Sequence, residues 1–236
     1  MSQLYEKFHI LDREAGIITG LLTSGLENLR KISNDESYYY LAFYSLSTGI
    51  ERLLKLIIYI ENPKVNLKSF NHQLTKLVNH VGVKVDKLSV EQKLLEFLDN
   101  FAKGDRYHIL DYLSSQSNKK IIDEPIVKFY NSIFVEIISK HPPRKIMMSP
   151  QVDFASVLHT RENLTEITSF DDLFVHGQLV DRVAKYSVMY FGRLIQPLIE
   201  RINSHSGLNN NPFYNEGFRY LYQPDSYFLN RKTFRQ

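Results

Sequence analysis

The sequence contains no cysteine at all. That absence excludes disulfide bonds, thiolate metal ligands and cysteine nucleophiles. Tryptophan is missing too. No hydrophobic run is long enough to cross a bilayer, which takes ~20 apolar residues: the uncharged stretch 37–50 is too short, and Glu51, Arg52 and Lys55 interrupt its continuation. The N-terminal MSQLYEKFHILDREAG carries charges throughout and has no apolar region of the signal-peptide kind. The expectation is a soluble cytoplasmic protein with no membrane partner. An excess of one charge sign is also lacking, since 29 basic and 26 acidic residues leave a net charge of +3. That balance is too mild to mark a nucleic-acid binder, which usually shows a clustered basic surface. Enzyme signatures are absent as well: there is no G-x-S-x-G elbow, no Gly-rich phosphate loop and no H-E-x-x-H helix. No cofactor is expected.

What remains is ordinary in bulk and strongly patterned in detail. With 43% hydrophobic and 23% charged residues over 236 positions, the chain can bury one sizeable core. Ser33 and Glu36 have capping-box spacing, and Tyr39, Phe43, Leu46, Ile50, Leu53, Ile57 and Ile60 follow at steps of four and three. One helix stripe results, ending before Pro63. Ser45, Thr48, Arg52, Lys55 and Tyr59 fall on the opposite side. A second helix is predicted over 71–82, with Asn71 as N-cap and Gly82 as terminator. A third covers 90–102 and buries Val90, Leu94, Phe97, Leu98 and Phe101. Two more cover 123–139, burying Ile126, Tyr130, Ile133, Phe134 and Ile137, and a stretch from Ser169 in which Pro197 should kink the helix or end it early. A weaker helix is predicted over 153–167, after a loop at 143–152.

Near the start, 15–32 is helical in pattern, with Ile17, Leu21, Leu22, Leu26 and Leu29 on its apolar side. Gly16 and Gly20 are placed to permit a close helix approach. No strand-like alternation and no internal repeat occurs. The fold class is therefore all-α, with a single helical domain over 1–205. From 206 to 236 the character changes to an irregular aromatic and basic tail, in which Phe213, Tyr214, Phe218, Tyr220, Tyr222, Tyr227 and Phe228 alternate with Arg219, Arg231 and Lys232. Packing on the bundle or on a neighbouring subunit is the favoured role; stacking on nucleic-acid bases is the alternative.

Few polar residues stand out. Asp172 and His176 lie one helical turn apart, but a metal site needs three or four ligands and Asp172 has a capping position, so no metal site is expected. Arg52 and Lys55 suit a solvated face, or a pair of cations holding a phosphate. Arg106 and Tyr107 stand at a helix end, where a guanidinium binds terminal carbonyls or recognises an anion. His72, at a helix start, either bonds a backbone group or serves as an acid or base.

Those residues, taken in order, resemble a known family. Glu51-Arg-Leu-Leu-Lys55, then Asn71-His72-Gln-Leu74 with Leu77, then Arg106-Tyr107 after a Leu/Phe-rich helix, are similar to the HEPN (higher eukaryotes and prokaryotes nucleotide-binding) domains. The likeness covers roughly residues 35–115, and it implies that this stretch is the core of an antiparallel helical bundle, with flanking helices at 1–34 and 116–205. It implies a bundle of four or five helices, a homodimer, and association with nucleotides, RNA or a protein partner encoded nearby in toxin–antitoxin or phage-defence systems. Under that resemblance Arg52, Lys55, His72, Arg106 and Tyr107 contact an anionic ligand. A metal-independent RNA endonuclease is the alternative, with His72 or His108 as acid or base and Arg106 stabilising the charged transition state. The family's ribonuclease members carry an Arg and a His separated by four to six residues. Here Arg201 and His205 are separated by three and Arg106 and His108 by one, so that catalytic pair does not carry over. A purely structural helical dimer is the third expectation.

Overall fold

A helix that is apolar around most of its circumference has to be surrounded, and the second helix of this chain meets that condition. The computed structural model describes residues 3–32, 38–105, 125–129, 132, 133, 135–141, 170–208, 218 and 221–230. Within them, α1 spans Gln3–Lys31 and α2 spans Tyr38–Glu61. A short 3-10 turn, Leu67–Phe70, precedes α3, Leu74–Val81, and then comes α4, Val90–Lys103. Next are α5, Pro125–Phe129, and α6, Val135–Lys140. The long α7, Phe170–Leu208, and the short α8, Asp225–Asn230, complete the set. The described residues contain no strand, so the class is all-α as the periodicity predicts. None of these helices is long and apolar enough to cross a membrane.

Helix α2 is the axis of the molecule, touching α1, α3, α4 and α7. Its predicted stripe from Tyr39 to Ile57 is buried, and Ile60 is half-buried. The opposite side is not the solvated face that the pattern implied. Ser45 is buried, and Thr48, Arg52, Lys55 and Tyr59 are half-buried; Glu14 of α1 reaches Arg52 on that side, and the turn at Asn71 reaches Lys55. Helices α1 and α2 run antiparallel: Leu22 lies at Gly49, Gly25 lies at Leu46, and Glu14 reaches Arg52, so numbers descend along one helix as they climb along the other.

The close approach predicted at Gly16 and Gly20 occurs elsewhere. A Cβ at either would meet nothing within 4 Å, whereas a Cβ at Gly25 would come within 2.6 Å of Leu46 Cγ and one at Gly49 within 2.7 Å of Leu22 Cδ2. The buried stripe of α1 is Ala15, Ile18, Leu22, Gly25 and Leu29, in strict three–four alternation. Ile17 falls one position off that rhythm and is exposed.

On the other flank of α2, Phe43 meets Phe97 and Phe101 of α4 and Phe129 of α5, with ring centroids 4.7, 5.8 and 5.1 Å away. Edge-on and tilted packing of this kind suits the aromatic quadrupole. The predicted core residues of α4 are all buried, and Ser89 caps it by accepting from Gln92 N at 3.1 Å. Of the residues expected inside the 123–139 helix, Ile126, Ile133 and Ile137 are buried. Tyr130, Phe134, Ser33, Glu36, Ser169 and the 143–167 segment lie outside the described residues.

Pro197 does not end α7, which continues to Leu208. Leu194 and Ile195 before the proline and Leu198, Ile199 and Ile202 after it are all buried. That packing offsets the ~3 kcal/mol penalty of an interior proline. The expected irregular tail is corrected in the same region. Residues 206–208 belong to α7, and α8 docks on its middle, with Phe228 fully buried against Gly192, where a Cβ would lie 2.5 Å from the ring. Arg193 holds Asp225 at 2.5 Å, and Arg30 of α1 donates to the Leu229 carbonyl at 3.3 Å. Packing on the bundle is thus the role of the described part of the tail.

Candidate functional site

Glu51 is an acid set into a helix that is apolar around most of its circumference, 9% exposed. A carboxylate so placed needs partners, and it has two. Lys55, one turn along α2, donates to Oε1 at 2.5 Å, and His72 Nδ1 lies 2.9 Å from Oε2. Lys55 Nζ also donates to the Asn71 carbonyl at 3.1 Å. The imidazole is outermost, its side chain 52% exposed, so Nε2 is the nitrogen open to a ligand.

The chain delivers His72 to this corner through a tight turn. Asn66 caps the 3-10 turn by accepting from Lys68 N at 3.1 Å, and Phe70 anchors its end in the core. Gln73 N then returns to the Phe70 carbonyl at 3.2 Å. Asn71 takes φ 47° and ψ −132°, the first central position of a II′ turn, which glycine favours and most side chains avoid. This strained residue is the one whose carbonyl Lys55 holds. Strain kept beside a polar cluster is a frequent mark of a working site.

Asn71 therefore does not cap α3, as the sequence pattern predicted. The helix starts at Leu74, and its cap comes from a different helix. Buried Asp99 of α4 accepts from Leu74 N at 2.6 Å and from Thr75 Oγ1 at 2.8 Å, and Lys103 neutralises it at 2.5 Å. The C-terminal stop is as predicted, with Gly82 left-handed at φ 76°.

The structure thus brings together two of the predicted ligand residues, Lys55 and His72. Arg52 belongs elsewhere: its guanidinium forks onto Glu14 of α1 at 2.8 and 2.6 Å, so it does not share an anion with Lys55. Arg106, Tyr107 and His108 lie outside the described residues, as do the side chains of Asp172 and His176. Among the described residues no group of three or more His, Asp or Glu could hold a metal ion. Glu51 and Asp99 are the residues that sequence reasoning missed. Glu51 left a signal, an acid four residues before a lysine inside an apolar run; Asp99 left none.

A sizeable cleft lies away from this corner. It lies between α4 and the α5–α6 segments, about 1120 Å³, and its cations are matched. Lys93 bonds Glu136, and Lys128 bonds Asp105 at 2.9 Å. We favour the Glu51–His72 corner over this charge-neutral cleft, since its outer atoms are open to a ligand.

A further polar cluster holds the end of α6 to α7. His141 stacks on Tyr186 with centroids 3.9 Å apart, meets Tyr190 Oη at 2.8 Å through Nε2, and gives its carbonyl to Arg182 Nε at 2.7 Å. Burial first, and then Arg182, Arg193 and Lys140, hold the ring below the usual histidine range. A depressed folded value means the unfolded chain binds the proton more readily. This contribution is complete above the ordinary value of about 6.5 and is lost as pH falls through it toward the folded value. The urea midpoint should therefore decline between pH 7.5 and 5.5, and His141→Gln should flatten that decline; an unchanged slope would contradict it. Glu136, bonded by Lys93 and Lys140, and Asp225, bonded by Arg193, are also held low. Their contributions are lost in more acid solution, below the usual carboxylate range.

No protein-family model, curated protein or solved structure matches this chain.

Proposed function

We propose that the chain is a HEPN-like helical module that binds a nucleotide or RNA at the corner of Glu51, Lys55 and His72. On this proposal it works in the cytoplasm as a homodimer, with a protein partner encoded nearby in a toxin–antitoxin or phage-defence pair. The observation that carries the proposal is the Glu51–His72 hydrogen bond. The carboxylate fixes a proton on Nδ1, so Nε2 is the atom that exchanges a hydrogen bond with a bound phosphate or hydroxyl. Lys55 spends two of its three donors on Glu51 and Asn71, leaving one for the ligand. Arg106 and Tyr107 join the site on the strength of the family resemblance.

Calorimetric titration of the full chain with ATP, AMP and a short RNA tests this reading. Glu51→Gln and His72→Ala are each expected to weaken the affinity at least tenfold, or ~1.4 kcal/mol. Absence of heat with every ligand, or titrations indifferent to both substitutions, rejects the site.

The same hydrogen bond favours one alternative, metal-independent RNA cleavage with His72 as the base. Carboxylate, imidazole and an outward Nε2 are the arrangement such a base requires. Cleavage in the presence of EDTA that disappears in His72→Ala supports it, and RNA left intact by the unmodified chain excludes it.

A further inference from the structure

The connection between α2 and α4, residues 62–89, carries Lys64, Lys68, Lys76, Lys84 and Lys87 against one acid, Asp86. Its surplus of four exceeds the +3 of the whole chain, so the remainder is slightly acidic. All five lysines are exposed, and none forms an ion pair with a described residue. Several cations elsewhere are paired: Arg52, Lys55, Lys103, Lys128, Arg193 and Arg201 each lie against a carboxylate. Bare ammonium groups collected on one excursion repel each other and raise the local positive potential, which favours a polyanionic ligand.

Their placement narrows the ligand. Lys76 stands 5.8 Å from the centroid of the Phe70 ring, which also meets His80 at 5.0 Å, so packing on an anchored aromatic holds this part of the basic face. Lys84, Asp86 and Lys87 line a groove of about 840 Å³ together with Thr75 and Asn79 of α3 and Gln92 of α4. Two cations outnumber the one acid there and neutral hydrogen-bonding groups complete the lining, a combination that suits a sugar–phosphate chain. His72 belongs to the same excursion.

We propose that the 62–89 face binds the phosphate backbone of a single-stranded polynucleotide through Lys64, Lys68, Lys76, Lys84 and Lys87. This deepens the nucleotide reading of the Glu51–His72 corner and rests on it for the choice of nucleic acid over other polyanions. An anionic bilayer is the competing partner, because Leu88 is 82% exposed beside Lys87. One apolar side chain is a poor anchor, since interfacial binding scales with buried apolar area, and the polar groove favours the nucleic acid.

The test is fluorescence anisotropy of the full chain with labelled 20-nucleotide single-stranded RNA and DNA and a 20-base-pair duplex, beside sedimentation with phosphatidylserine vesicles. Five phosphate contacts give a slope of log affinity on log salt of about −3.5, and so a loss of about 100-fold between 50 and 200 mM salt. Lys68→Gln/Lys76→Gln/Lys84→Gln should reduce that slope by about 2 units and the affinity at least tenfold. The control Lys31→Gln/Lys185→Gln should change neither. Should the triple variant misfold, Lys84→Gln alone is expected to remove about 0.7 of slope. The proposal is overturned by salt-independent binding, by an equal effect of the control pair, or by tighter binding of duplex or vesicles. ATP binding that depends on His72, with no polynucleotide binding, overturns this surface and leaves the corner standing. Polynucleotide binding at full slope without ATP binding has the reverse meaning.

Discussion

Phe43→Ala is expected to lower the free energy of unfolding by about 3–5 kcal/mol, the largest effect of any substitution considered. Phe43 is fully buried, and its ring touches Phe97, Phe101 and Phe129, which belong to two other helices. Truncation removes apolar contact and leaves a cavity between elements that rigid rings keep from collapsing. Urea denaturation followed by circular dichroism checks this, with Phe43→Leu as the graded control that retains most of the volume. A loss below about 1 kcal/mol for the alanine variant would show that α4 and α5 are not held through this cluster.

Asp99→Ala comes second, with an expected loss of about 3 kcal/mol. The carboxylate accepts from Leu74 N, Thr75 Oγ1 and Lys103 Nζ, so its removal strands a buried backbone donor at the start of α3 and deprives Lys103 of its partner. Asp99→Asn keeps an acceptor for the Leu74 amide and should cost less. The effect should also travel: Leu74 lies two residues after His72, and a frayed α3 start loosens the turn that presents the imidazole. Asp99→Ala is therefore expected to weaken nucleotide binding at the corner as well as stability, and both are read from one preparation by denaturation and calorimetry. Equal stability of the alanine and wild-type chains would refute the capping role.

The residues that could be read from the sequence are those whose partners are close in the chain. The α2 stripe, the buried side of α4 and the Gly82 stop follow from three–four spacing and from a left-handed terminator. They appear in the fold as the pattern requires. Where the partner is distant, local rules fail for definite reasons. Asn71 has the chemistry of a cap, yet Asp99 caps α3 from 25 residues further along, and Asn71 is left to make a strained turn. Gly16 and Gly20 have the spacing for close contact but no leucine opposite them, whereas Gly25 and Gly49 do. Pro197 breaks a local hydrogen bond and is overruled by apolar burial on both sides of it. In the candidate site, Lys55 and His72 were visible as types, and their joint partner Glu51 was visible only as one letter of a motif. Charge was misleading in another way: a mild total conceals the fact that one excursion holds more than the entire surplus.

The glycine notch at position 49 has a mechanical consequence for the corner. Two residues of helix turn through about 200°, so Gly49 and Glu51 project to nearly opposite sides of α2. Leu22, seated where a side chain would otherwise be, acts as a detent that fixes how far α2 slides and rolls against α1. The acid on the far side is thereby set at one height, and the imidazole leaning on it inherits that height.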